Sequence, residues 1–236
     1  MLPQDHPDLA STYNNVGCTY GMLGDHRKEL DYKLKALVIR EKVLPQDHPH
    51  LANSYNNVGC TYGELGDHQK ELDFLLKALV IREKVLPQDH PNLASSYNNV
   101  GYTYGDLGDH QKGLDYKLKA LAICENVLPQ NHPYLASSYN NVGHTYGMLG
   151  DYQKELDFQL KALVIREKVL PQDHPHLALS YNNVAWTYYR LGDLPEAVRH
   201  MRRAAEIITR TSLLETHPYR GNFPKWAAEL EQMLNT

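Results

Sequence analysis

The sequence predicts an all-α protein, a right-handed α-solenoid of five tandem helix-turn-helix units. Three observations carry this. A His-Pro dipeptide returns every 42 residues, at His6, His48, His90, His132 and His174. A Tyr-Asn-Asn-Val string follows at the same period from Tyr13, Tyr55, Tyr97, Tyr139 and Tyr181, and Leu-Gly-Asp follows that from Leu23, Leu65, Leu107, Leu149 and Leu191. Self-similarity at a fixed period of roughly 20–50 residues is the signature of stacked units, each burying its apolar face against its neighbours.

The second unit serves as the template. Pro49 suits a first helical turn, where its missing N–H has no intrahelical partner, and Asp47 or His48 can cap that helix. Leu51, Tyr55, Val58, Tyr62 and Leu65 recur at alternating steps of 4 and 3, which places them on one stripe, the core face of helix A. Gly66-Asp67 breaks the pattern, since glycine accepts the positive φ of a helix C-terminus and aspartate caps the next helix. Leu72, Leu76 and Leu79, with Ala78, Val80 and Ile81, form helix B, which runs to Val85-Leu86 before Pro87 stops it. Two short antiparallel helices cannot bury their apolar faces alone, so stability comes from stacking each pair on the next. The expected units span residues 1–43, 44–85, 86–127, 128–169 and 170–211, followed by a capping helix within 212–236 built on Trp226, Leu230 and Met233 behind Pro224.

Tyr55-x-x-Val58-Gly59-x-x-Tyr62 with Ala78 downstream resembles the tetratricopeptide pattern W-x-x-L-G-x-x-Y…A, with Tyr for Trp and Val for Leu. The 42-residue period and the string Ala78-Leu79-Val80-Ile81-Arg82-Glu83-Lys84-Val85-Leu86-Pro87-Gln88-Asp89-His90-Pro91 are similar to the kinesin light chain and nephrocystin-like branch of that family. The resemblance covers residues 1 to about 211. It implies a scaffold that holds another protein. Where the family usually carries a small alanine between the helices, this chain has Glu29, Glu71, Gly113 and Glu155, and only Ala197 keeps it, which implies different helix packing in the first four units.

A second face of helix A, opposite the core stripe, carries Asn53, Asn56, Asn57, Cys60 and Glu64. In a stacked solenoid these faces line a groove. A carboxamide offers both donor and acceptor, so Asn15, Asn57, Asn99, Asn141 and Asn183 are the first choice for gripping the backbone of an extended peptide, and the resemblance implies the same for an asparagine at this place. For the other asparagine of each pair, Asn14, Asn56, Asn98, Asn140 and Asn182, the alternative is a bond to the neighbouring unit. Specificity is expected from the groove positions that differ between copies. The position of Cys60 reads Cys18, Cys60, Tyr102, His144 and Trp186, and that of Glu64 reads Met22, Glu64, Asp106, Met148 and Arg190. Trp186, Tyr189 and Arg190 concentrate the aromatic-plus-arginine chemistry of binding hot spots at the C-terminal end, while Trp186 packing under the last helix is the competing reading.

A clamp for a C-terminal carboxylate needs a cation one turn before the asparagine, but the chain has Ser11, Asn53, Ser95, Ser137 and Leu179 there. The same shortage of cations argues against acidic, tryptophan-bearing peptides, with Arg190 alone standing out. With 24 basic and 28 acidic residues the net charge is −4, which offers nothing for nucleic acid or an anionic membrane. No run of 18 apolar residues is present to span a bilayer, Met1-Leu2-Pro3-Gln4-Asp5-His6 lacks a signal-peptide layout, and Cys18, Cys60 and Cys124 have no CxxC spacing. The expectation is a cytoplasmic protein with reduced thiols. The His-Pro histidines repeat with the helix starts, so capping accounts for them better than metal binding, and His26, His68 and His110 after the Gly-Asp turn are read as structural. No phosphate loop, GxSxG elbow or HExxH occurs, and neither catalysis nor a cofactor is expected. Met1 falls inside a linker string, so the first unit has no polar cap before it. A segment of a longer protein is expected, with self-association through that open unit, or a spacer role in a larger sensor protein, as the alternative to peptide binding.

Overall fold

The computed structural model describes residues 5–210 and 222–234. Residues 1–4, 211–221 and 235–236, on which the readings of the N-terminal string and part of the C-terminal region fall, lie outside the described residues. The fold is an all-α solenoid of tandem helix pairs, with eleven helices among the described residues. The first three pairs are α1 (Pro7–Met22) with α2 (His26–Val43), α3 (Pro49–Glu64) with α4 (His68–Val85), and α5 (Pro91–Asp106) with α6 (His110–Val127). Then come α7 (Pro133–Met148) with α8 (Tyr152–Val169), α9 (Pro175–Arg190) with α10 (Leu194–Arg210), and finally α11 (Asn222–Leu234). The chain divides into two compact units, Met1–Ile123 and Cys124–Thr236.

Local chemistry sets the helix ends. Of the two candidate caps for α3, His48 is the one used: its Nδ1 accepts the His50 N–H at 3.1 Å. His6, His90, His132 and His174 cap α1, α5, α7 and α9 in the same way, each followed by proline at the first helical position. Each helix A stops at a glycine with positive φ, between 77° and 83°, a region open to glycine at no steric cost. The next aspartate then caps helix B, as where Asp67 Oδ1 accepts the Lys70 N–H at 3.1 Å.

Within the first unit, Leu37, Leu51, Ala52, Val58 and Ile81 form a buried cluster, with Tyr55, Tyr62 and Phe74 packed against it. Two residues of the expected stripes are elsewhere. Leu65 is 39% exposed because it caps α3 beyond the last helical turn, so the stripe ends at Tyr62. Val80 is 64% exposed on the outer side of α4, while Leu75, absent from the expected series, is buried on its inner side.

The recurring tyrosines have a specific use. In each pair the two tyrosines of helix A flank one aromatic ring of helix B: Tyr55 and Tyr62 lie 6.1 and 5.5 Å from Phe74, and Tyr139 and Tyr146 lie 6.1 and 5.5 Å from Phe158. In the last pair His200 takes that ring's place between Tyr181 and Tyr188, and burial holds its imidazole below the ordinary value. The Ile-Arg-Glu string joins successive pairs. Arg40 donates to Ser54 Oγ at 2.6 Å and Tyr55 to Glu41 at 2.8 Å, and Arg166–Ser180 and Tyr181–Glu167 repeat the arrangement. Arg82 also reaches Asn56 Oδ1 at 3.4 Å. At the equivalent register α10 has Ile208, and Asn182 Oδ1 is correspondingly buried without a hydrogen-bond partner.

The glutamates that replace the usual alanine fit because a glycine faces them. A Cβ added at Gly21, Gly63 or Gly147 would come within 2.5–2.7 Å of the carboxylates of Glu29, Glu71 and Glu155, whereas one at Gly105, opposite Gly113, would meet nothing within 4 Å. Ala197 completes the correspondence, since the glycine register there holds Tyr189. Gly147→Ala is therefore expected to cost about 1–2 kcal/mol by overpacking against a buried side chain, and Gly105→Ala to add about 0.5 kcal/mol by removing backbone entropy from the unfolded chain. Denaturant midpoints of the two variants moving in opposite directions would verify the pairing.

α1 lacks part of the cover given to later copies of helix A. Thr12 and Thr19 are exposed, while Ser54 and Thr61 at the same register are buried against α2. In the second unit, Phe223, Ala227 and Leu230 of α11 are buried against α8, α9 and α10. The register of α11 differs from the expected one: Phe223 and Ala227 face inward with Leu230, Trp226 is half-buried and Met233 is half-exposed.

Candidate functional site

The asparagines sit where the helix A register places them. Asn15 is exposed and Asn57, Asn99, Asn141 and Asn183 are half-buried. Their backbone carbonyls each accept a threonine hydroxyl one turn on, at 2.9–3.1 Å, which leaves the carboxamide as the variable part. The two sets are not cleanly divided between ligand and neighbour. Asn183 Nδ2 donates to Asn140 Oδ1 at 3.4 Å across α9 and α7, so here one member of each set bonds the other. Asn14 and Asn56 donate instead to the sulfurs of Cys18 and Cys60 on their own helix, at 3.9 and 3.7 Å.

Four of the expected site residues come together in the second unit. His144, Asn183, Trp186 and Arg190 line a cavity of about 370 Å³ among α7, α8 and α9, with Asn140 and Met148 on one wall and Tyr152, Glu155, Gln159 and Thr187 on the floor and opposite wall. The floor is a buried polar chain. The Thr187 hydroxyl shares its one proton between the Asn183 carbonyl and Gln159 Oε1, 2.8 Å away, Gln159 Nε2 donates to Glu155 Oε1 at 2.9 Å, and Arg190 to Glu155 Oε2 at 3.2 Å. Burial pushes the Glu155 carboxyl above its ordinary value, with Arg190 opposing this. Arg190 is thus not the free groove cation that its sequence position suggested: half its side chain is exposed, yet its charge is committed to Glu155 and it lies 5.4 Å from the Tyr152 ring centre. Trp186 serves both readings made for it. It lines the cavity, and it meets Trp226 of α11 edge-on at 5.7 Å and Tyr189 at 5.6 Å.

The other expected residues are in different surroundings. Tyr102 is exposed in the first unit, with Lys117 Nζ 4.3 Å from its ring centre. A second cavity of about 460 Å³ in that unit is lined by Cys18, Met22, His26, Glu29, Lys33, Cys60, Thr61 and Glu64. At its base Lys33 Nζ bonds Glu29 at 2.5 Å and Thr61 Oγ1 at 3.1 Å. Burial alone would raise the Glu29 carboxyl, but Lys33 and His26 outweigh it and hold the group below its ordinary value. Two buried groove cations, Lys33 and Lys117, therefore come from helix B, together with Tyr152, Glu155 and Gln159. A reading confined to helix A missed them. Their signal is visible at the register of Lys33, which reads Lys33, Leu75, Lys117, Gln159 and Met201, as varied as the groove positions of helix A.

No helix among the described residues is long and apolar enough to cross a membrane. No curated protein matches the sequence. Among solved structures, the nearly identical TPR-like repeats of a candidate kinesin light chain from Podosopora anserina are similar, with a TM-score of 0.79 and 22% identity over 88% of this chain and 98% of that one. BtubC (BKLC) from P. vanneervenii gives a TM-score of 0.77 and 22% identity over 90% of this chain and 84% of that one. The apo form of RapI gives 0.77 and 17% identity over 95% of this chain and 58% of that one. At these identities the likeness is one of fold. At the level of sequence, tetratricopeptide repeat profiles match residues 9–50, 51–92, 92–168 and 156–210. With His-Pro caps, paired antiparallel helices and profile matches running through nearly all of both units, the chain belongs to the tetratricopeptide repeat family.

Proposed function

We propose that this chain is a non-catalytic cytoplasmic scaffold that holds an extended segment of a partner protein against its helix A faces, with one partner side chain entering the cavity of the second unit. The observation that carries this reading is the cavity itself. Its volume of about 370 Å³ falls within the range of ligand sites, and it combines an aromatic wall, Trp186 and Tyr152, with the carboxamides of Asn140 and Asn183. A carboxamide pair bonded at 3.4 Å is a weak, half-exposed contact that a peptide backbone can replace with one donor and one acceptor of its own. The varied neighbours His144 and Trp186 would then select side chains. Self-association through α1 is the alternative, with Thr12 and Thr19 exposed along that helix and Met22 and Leu23 exposed at its end.

The double substitution Asn141→Ala with Asn183→Ala tests this. Peptides selected from a displayed random library by the wild-type chain are expected to bind the variant at least tenfold more weakly, with helix content unchanged by circular dichroism. Undiminished binding, or a library that yields no peptide, would overturn the reading.

A further inference from the structure

Glu29, Glu71 and Glu155 occupy one register in three helix pairs, yet the cations around them differ. Glu29 is bonded by Lys33 on its own helix, and Glu155 by Arg190 from the end of the next helix A. Glu71 has neither. At the Lys33 register α4 carries the buried Leu75, and at the Arg190 register α5 carries Asp106. A carboxylate only 16% exposed thus faces a second carboxylate where its equivalent faces a guanidinium. The group between them is His68, whose Nδ1 hydrogen-bonds Glu71 Oε2 at 2.9 Å, as His26 does Glu29, and lies 4.0 Å from Asp106 Oδ2, the contact that only this pair has among the described residues. Like charges at such range repel unless a cation intervenes.

We infer that His68, Glu71 and Asp106 form a binding site for a divalent cation of the zinc class, which supplies the positive charge that a lysine or arginine supplies at the equivalent places. One donor atom from each of the three residues lies within 4.8 Å of the others. Tetrahedral zinc with bonds of about 2.0–2.2 Å needs donors about 3.4 Å apart, and the two measured separations bracket that distance. Imidazole nitrogen and carboxylate oxygen are both ligand types that zinc takes, and three protein ligands leave a fourth position for water. The imidazole disfavours magnesium and calcium, which take oxygen ligands. The site is carried by two rigid elements, the N-terminus of α4 and the C-terminus of α5, so loading it ties successive helix pairs together.

Calorimetric titration of the whole chain with zinc chloride tests the assignment, with cobalt(II) absorption to report the coordination. The expected result is a saturable site whose affinity falls at least tenfold in His68→Ala and again in Asp106→Arg, which installs the cation found beside Glu155. Both positions are at the surface, so helix content without metal is expected to be preserved, and zinc is expected to raise the melting temperature only of chains that keep the site. His50→Asn with His176→Asn, which removes the second histidine of the two His-Pro-His sequences, should leave the site intact. Absence of saturable zinc binding, or binding lost with His50 and His176 but kept in Asp106→Arg, would overturn the proposal.

Discussion

Phe223→Ala is expected to lower the stability of the Cys124–Thr236 unit by about 3–5 kcal/mol, the range for deleting a fully buried aromatic ring. The side chain is 0% exposed. It belongs to one buried cluster with Leu156 and Leu163 of α8, Leu177 and Val184 of α9, and Ala204, Ile207 and Ile208 of α10. Those three helices present apolar surface that, in a solenoid, the next helix pair would otherwise cover. α11 provides the cover here, and it is short, 13 residues with Phe223 at its second position, so losing the ring removes its main anchor. The remaining contacts, Ala227 and Leu230, lie against a smaller cluster around Met201. The two tryptophans of the chain, Trp186 and Trp226, both sit in this unit and meet at 5.7 Å, so fluorescence during urea unfolding reads the effect directly. A loss below about 1 kcal/mol would mean that α11 does not hold the core.

That anchor was beyond the sequence pattern, and the reason is physical. Trp226, Leu230 and Met233 satisfy a helical stripe as well as Phe223, Ala227 and Leu230 do, and periodicity alone cannot choose between two adjacent stripes in a single short helix. Repetition removes that ambiguity elsewhere. Five copies of Tyr-Asn-Asn-Val fix one register for helix A, and the caps at His48 and Asp67 follow from the same alignment. The candidate site was legible to the extent that it lies on that alignment, which is why His144, Asn183, Trp186 and Arg190 were found together. What failed was the charge state of the groove. The fate of Arg190 depends on Glu155, 35 residues away, and that of Lys33 on Glu29, one turn away but pointing inward through the space left by Gly21. Such pairings depend on which copy carries glycine at one place and glutamate at another, a correlation between two registers rather than a property of either.

The Arg190–Glu155 pair gives the second large effect, with a sign fixed by pH. Arg190→Ala is expected to cost about 2 kcal/mol near neutral pH: breaking a buried pair costs about 3–5 kcal/mol, and the half-exposed guanidinium reduces that figure. Glu155 already has its folded-state pKa raised by burial against the opposing influence of Arg190. Between the ordinary carboxylate value and that raised value, the folded chain holds a proton that the unfolded chain has released, so stability falls as pH rises through the window. Removing Arg190 takes away the opposing influence, moves the upper edge of the window higher and deepens the fall. Denaturant midpoints of Arg190→Ala should therefore approach those of the wild type as pH falls below the ordinary carboxylate range, where Glu155 is protonated in both, and separate from them towards pH 7. Adding Glu155→Gln keeps the shape, removes the buried charge and should bring back most of the lost stability at pH 7, with the extra pH dependence gone. A deficit of equal size at every pH would instead assign the cost to the lost stacking of Arg190 on Tyr152, and the floor of the cavity would then be held by packing rather than by charge.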